Sequence, residues 1–166
     1  MNDWMIGMAV ALALSALPGA ASAQTSSPSS TSEKEPSMSH HASGHFEVKL
    51  KPLSTYNQED NQLGRMSIDK QFDGDLEGTS KGEMLNFARS GYVAIEKVSA
   101  TLKGRTGTFA LQHNATIDHG KPHLNIIVVP DSGTGQLTGL TGTMNIVITS
   151  DGKHSYEFEY TLPDTQ

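Results

Sequence analysis

The chain contains no cysteine, so disulfide bonds, thiolate nucleophiles and cysteine-based metal sites are excluded. Basic residues are also scarce, because 12 Lys and Arg stand against 18 Asp and Glu, for a formal net charge of −6. A general nucleic-acid binder needs a basic footprint, so we expect no nucleic-acid partner. One Trp and 16 glycines in 166 residues favour a single β-rich domain with many turns.

The N-terminal segment has the pattern of an export signal. Residues 5–17 form an apolar run that is too short to span a bilayer comfortably. Ala21, Ser22 and Ala23 then supply the small residues that a signal peptidase reads, although Asp3 and the absence of Lys and Arg before the run are atypical. We predict a signal peptide over residues 1–23, export to the periplasm or the exterior, and no membrane insertion after cleavage.

Residues 24–44 are rich in Ser, Pro and charge and poor in apolar side chains, which predicts a disordered tether. His40, His41 and His45 have a spacing that a divalent metal can use, but mobile surface histidines are the commoner explanation. We therefore expect no metal and no cofactor. The folded domain is predicted to span residues 45–163, with a short tail over 164–166.

The folded part follows a period of two, which is typical of β-strands. Phe46, Val48 and Leu50 alternate with polar residues up to Pro52, and Tyr156, Phe158 and Tyr160 alternate in the same way near the C-terminus. No segment has a convincing amphipathic helical pattern. We predict an all-β domain.

An internal repeat indicates how the strands connect. Residues 102–109 and 137–144 share the pattern L-x-G-x-x-G-T-Φ, in which a glycine-containing turn closes one strand and opens the next. Repeated hairpins favour a single closed antiparallel barrel of about eight strands, with a two-sheet sandwich of the same strands as the alternative. The glycine-rich residues 130–135 lack a following helix and are read as a hairpin turn rather than a phosphate-binding loop.

Several ionisable or polar residues lie in register with apolar ones. In a closed barrel one face of every strand points to the lumen. Six candidate ligand-binding residues share such faces: Lys70, Tyr92, Glu96, His113, His154 and Tyr156. Buried charge is costly unless it is paired, so the cluster is either a structural network or a functional site. The simpler alternatives are that Lys70 reaches water, that Glu96 pairs with a lysine across strands, that His113 hydrogen-bonds to a neighbouring strand, and that His154 is exposed at a strand start.

Blocks of the sequence resemble a bacterial family classified as a domain of unknown function. The matching blocks are residues 64–70, 74–84, 91–96, 111–113, 128–135, 137–142 and 154–160. The resemblance implies an allene oxide cyclase-like barrel, a closed eight-stranded antiparallel meander similar in shape to the calycins. It implies no catalytic residues, and one barrel type hosts unrelated functions.

Three functions are compatible with this sequence. The leading hypothesis is an exported barrel that binds a small apolar or amphipathic ligand in its lumen. The second is an isomerase or cyclase in which Glu96 or His113 acts as acid or base; whether the chain is an enzyme is left open. The third is a packed structural module or homo-oligomer, because residues 124–129 form an apolar run that a subunit interface would cover on both faces.

Overall fold

The computed structural model describes residues 38–55, 63–88 and 90–163, and their strands form a closed antiparallel barrel in chain order. The eight strands are β1 (Ser39–Thr55), β2 (Leu63–Gly74), β3 (Leu76–Phe87), β4 (Gly91–Leu102), β5 (Arg105–Asp118), β6 (Lys121–Val128), β7 (Thr141–Ile148) and β8 (His154–Thr161). Within these ranges the one helical element is a 3₁₀ turn, Gly135–Leu137. Among the described residues there is no helix with the length and hydropathy of a transmembrane span.

The barrel closes where β1 pairs with β8. Ser39 is paired with Thr161 and Phe46 with His154, while the other edge of β1 is paired with β2 from Gly44 to Thr55. Every strand thus has a neighbour on each side, although β6 and β7 are paired at the single position Ile127–Thr143. The predicted all-β closed barrel is confirmed, and the sandwich alternative is wrong.

Strand β1 begins earlier and ends later than the sequence predicted. It starts at Ser39, so residues 39–44 belong to the barrel and not to the tether: Ala42 is fully buried and His41 contacts Glu157 at 2.6 Å. It also continues past Pro52, because a register shift between Pro52 and Ser54 places the missing N–H at an irregularity. The predicted signal peptide, the rest of the tether up to residue 37 and the tail lie outside the described residues.

One half of the barrel is solidly packed. Its core contains inward-facing aromatic and aliphatic side chains, among them Phe72, Leu76, Phe109 and Phe158. The connection between β6 and β7, residues 129–140, covers this end and buries Leu137 and Leu140 completely or nearly so. Residues 130–135 are therefore part of a longer closing loop, and the hairpin predicted there is wrong. We call this end the closed pole.

The repeat is a hairpin in its first copy alone. Lys103 and Gly104 have φ angles of +44° and +85° and form the tight turn between β4 and β5, as a two-residue hairpin loop requires. In the second copy Leu137 belongs to the 3₁₀ turn and fills the closed pole. Both copies open a strand, but the second closes none.

The apolar run 124–129 is not covered on both faces. Ile126 and Val128 point into the core, whereas Ile127 is half-buried on the outer face. Exposed apolar side chains on the outer wall include Leu85 and Phe87 on β3, Val93 and Ile95 on β4, and Val147 on β7.

Candidate functional site

The second half of the barrel is hollow. A cavity of about 610 Å³ lies between the strands, and most of its wall is apolar. Its aliphatic and thioether lining consists of Val48, Leu50, Met66, Ile68, Met84, Ala88, Ala115, Ile117, Pro122, Leu124, Ile146 and Ile148. The volume falls within the range of small-molecule sites, about 300–1,000 Å³.

In the part of the chain that the structure describes, the cavity opens at the pole opposite the closing loop. Leu50, Ile117, Leu124 and Ile148 line it and are also partly exposed to solvent. We call this opening the mouth. At the inner end of the cavity Phe46, Lys70 and His113 form the floor, beneath which the packed core begins.

The floor rests on a buried cluster around Glu96. The Nζ of Lys70 lies 2.7 Å from Oε1 of Glu96, and Nε2 of His113 lies 2.9 Å from the same oxygen. Ser80 donates its hydroxyl to Oε2 at 2.6 Å. Lys70, Glu96 and His113 are 5%, 0% and 3% exposed. Glu96 therefore does not line the cavity but holds the two residues that do.

Glycine on β3 makes this arrangement possible. Lys70 is on β2 and Glu96 on β4, so their side chains meet across β3, where Gly82 is paired with Glu96 and Ser80 with Lys70. A Cβ at Gly82 would lie 2.2 Å from the carbonyl oxygen of Ile95, a distance that real Cβ atoms do not show. Gly82 thus allows β3 to approach β4 closely beneath the cluster.

Lys70 is held by more than its carboxylate. Its Nζ lies 4.9 Å from the ring centre of Phe46 and 5.7 Å from that of Phe72, distances at which an aromatic face attracts a cation. The sequence alternative in which Lys70 reaches water is therefore wrong, and the one in which Glu96 pairs with a lysine is confirmed.

Glu96 is ionised in spite of its burial. Desolvation raises its pKa, but the hydrogen bond from His113, the charge and hydrogen bond of Lys70, and the hydrogen bond from Ser80 together outweigh it and lower the pKa from 4.5 to about 2. At neutral pH the cluster therefore contains a buried carboxylate contacted by Lys70, His113 and Ser80.

His113 lines the cavity and uses one of its two ring nitrogens in the cluster. Nε2 is engaged by Glu96, whereas Nδ1 has no hydrogen-bond partner among the described residues. When the ring is neutral and Nε2 carries the proton, Nδ1 is a hydrogen-bond acceptor.

Two other predicted residues lie higher on the wall. Tyr92 and His154 both line the cavity and are half-buried. Burial raises the pKa of the Tyr92 phenol, and the charge of Glu96 raises it further. The imidazole of His154 packs 5.1 Å from the Phe46 ring, centre to centre.

Comparison with known proteins now decides the family. The family model described as "Protein of unknown function (DUF3224)" matches residues 42–160. The chain belongs to the DUF3224 family. A crystal structure of a DUF3224 protein of unknown function from Shewanella oneidensis MR-1 is 44% identical, with a TM-score of 0.70, and the match covers 77% of this chain and 100% of that one. Curated proteins give no match.

Tyr156 was predicted to be a ligand-binding residue, but this DUF3224 barrel places it outside the cavity. It is fully buried, and its hydroxyl accepts a hydrogen bond from the Leu76 N–H at 2.8 Å, near the closed pole. It does not line the cavity. Its position on the same strand face as His154 was predicted correctly, but the stagger of the strands places it below the floor.

Two polar residues were missed by the sequence analysis. Ser80 lies on a β3 face whose other members include Gly78 and Gly82, so the strand has no apolar alternation to mark it. Asn86 lines the cavity further along β3, and its Oδ1 is buried with no hydrogen-bond partner among the described residues. Within those residues no group of three His, Asp or Glu side chains forms a metal site.

Proposed function

We propose that this DUF3224 barrel binds a small apolar or amphipathic molecule in its cavity. The observation that carries the proposal is the apolar hollow of about 610 Å³, open at the mouth and ending at Lys70 and His113. A pocket with an apolar wall and a small number of polar groups at one end is typical of sites that orient an amphipathic ligand. A fully packed structural module is disfavoured because the residues that the structure describes leave this half of the lumen unfilled.

We also propose that binding takes place after export. The support is the predicted leader, an apolar run over residues 5–17 followed by Ala21-Ser22-Ala23. Expression of the full chain in a bacterial host, followed by fractionation and N-terminal sequencing, tests this. A mature N-terminus at Gln24 in the exported fraction is expected, whereas retention of the uncleaved chain in the cytoplasm contradicts it.

Saturable uptake of N-phenyl-1-naphthylamine, a neutral dye that fluoresces in apolar surroundings, tests the binding proposal. Ala115→Phe places a ring inside the cavity, and the control Asn114→Phe adds the same ring to the adjacent exposed position of β5. We expect the dissociation constant to rise by at least about tenfold in Ala115→Phe and to stay unchanged in Asn114→Phe. Equal binding by both variants and the wild type would place the dye outside the cavity and contradict the proposal.

Acid–base catalysis is a second candidate, favoured by the Glu96–His113 contact. A carboxylate on Nε2 fixes the ring and leaves Nδ1 as a proton acceptor at the cavity floor. In deuterium oxide, a base there is expected to accelerate exchange of the α-protons of a bound ketone such as 2-dodecanone, measured by NMR. The same exchange rate in wild type and His113→Gln would remove this candidate.

A further inference from the structure

We infer that the ligand ends in a neutral carbonyl or hydroxyl group and not in a carboxylate. The inference rests on the proposed binding function and specifies the chemistry of the polar end. It follows from the charges and hydrogen-bonding capacity of the cavity floor.

With both histidines neutral, the floor has no net positive charge to attract an anion. The charged or titratable groups that face it are Lys70 from β2, Glu96 from β4, His113 from β5 and, higher up, Tyr92 and His154. Lys70 and Glu96 neutralise each other at 2.7 Å. A ligand carboxylate would lose its hydration beside a second carboxylate, with a single lysine between them.

The floor does have unused hydrogen-bonding capacity for a neutral group. Both oxygens of Glu96 are occupied, by Lys70, His113 and Ser80. The ammonium of Lys70 has three N–H donors, and one of them is used by Glu96. A carbonyl or hydroxyl oxygen can accept another, and a hydroxyl can also donate to Nδ1 of His113.

The apolar wall fits the rest of such a molecule. Between floor and mouth the lining is mainly aliphatic, with Ile68, Met84 and Ile146 among its members. Tyr92, Asn86 and His154 are the polar exceptions on the way out. A chain or ring system with one neutral oxygen at its inner end would satisfy both regions.

A matched set of twelve-carbon compounds tests the inference by displacement of N-phenyl-1-naphthylamine at about pH 8. The set is 1-dodecanol, 2-dodecanone and dodecanoate, each below its aggregation threshold. We expect the two neutral compounds to bind at least about tenfold more tightly than dodecanoate. Equal or tighter binding of dodecanoate to the wild type would overturn the inference and leave the binding proposal intact.

Glu96→Gln provides the decisive variant, because it keeps the shape and leaves Lys70 as an uncompensated cation. Its preference is expected to move toward dodecanoate by at least about tenfold. Lys70→Met leaves the Glu96 carboxylate without its cation. The ratio by which this variant binds the neutral compounds more tightly than dodecanoate is expected to increase. An unchanged preference in the variants that fold would overturn the charge argument. Failure of every compound and of the dye to bind the wild type would overturn the binding function itself.

Discussion

Lys70 and Glu96 are paired at 2.7 Å although their strands are not neighbours, since β3 lies between β2 and β4. The contact therefore crosses the inside of the barrel wall and ties together strands that the hydrogen-bond ladder does not join. It also separates the packed half of the lumen from the hollow half. The same pair thus supports the fold and forms the base of the cavity.

Removal of one member of this pair is expected to destabilise the barrel strongly. Lys70→Met should lower the free energy of unfolding by about 3 kcal/mol, because it leaves a buried carboxylate without its cation. The double variant Lys70→Met, Glu96→Gln should recover part of that loss, since no buried charge remains. Urea unfolding of the two single variants and the double variant measures the coupling.

The control for this experiment is an exposed ion pair between β2 and the adjacent β3. Arg65 contacts Glu83 at 2.8 Å, with side chains 39% and 56% exposed. Arg65→Met is expected to cost less than about 1 kcal/mol. A loss in Lys70→Met no larger than that in Arg65→Met would show that the buried pair contributes little.

The free energy of unfolding of the barrel is expected to fall in acid because Glu96 becomes protonated. Its folded-state pKa of about 2 lies below the ordinary 4.5, so the unfolded chain takes up the proton first as the pH falls. The contribution is present in full above about pH 5 and is lost toward pH 2, with a size on the order of 3 kcal/mol. Unfolding curves recorded at several pH values for the wild type and Glu96→Gln should converge as the pH falls.

Other carboxylates do not obscure this comparison. The pKa of Asp75 is lowered by the Ser43 backbone hydrogen bond and that of Asp151 by the Thr149 hydroxyl, but both side chains are present in each protein. The difference between the two curves therefore isolates Glu96. Parallel curves across the acid range would contradict its lowered pKa.

Tyr156 is expected to affect stability without affecting the cavity. Tyr156→Phe removes the acceptor of the Leu76 N–H, and a buried donor without a partner costs about 2 kcal/mol. Dye binding should remain at the wild-type level because Tyr156 does not line the cavity. Thermal unfolding and dye titration of the same sample separate the two effects. A weaker dye affinity in the folded variant would contradict this prediction and show that Tyr156 contributes to binding in the cavity.

The sequence was sufficient to predict the architecture and three members of the central cluster. Alternation of apolar and polar residues placed Lys70, Glu96 and His113 on inward faces, and closure of the meander then brought those faces together. A period of two identifies the face of a residue, but not its height in the barrel. Height depends on the stagger between strands, which is why Tyr156 was grouped with residues that lie above the floor.

Ser80 on strand β3 was missed for a different reason. The inward positions of β3 include Gly78, Ser80 and Gly82, which carry no apolar signal because the space they leave is needed by side chains from β2 and β4. The start of β1 was missed for a similar reason. Residues 39–44 are held by pairing with β8, a partner more than a hundred residues away that local composition does not reveal.

Strand direction also determines how the protein can be handled. Ser39 and Thr161, where the first and last strands begin and end, are paired at the closed pole, so the chain enters and leaves the barrel on the side away from the mouth. A tag, surface linkage or fusion partner attached through either end of the barrel is directed away from the opening. A linkage placed at Ser39 or Thr161 would therefore lie at the end of the barrel opposite the mouth.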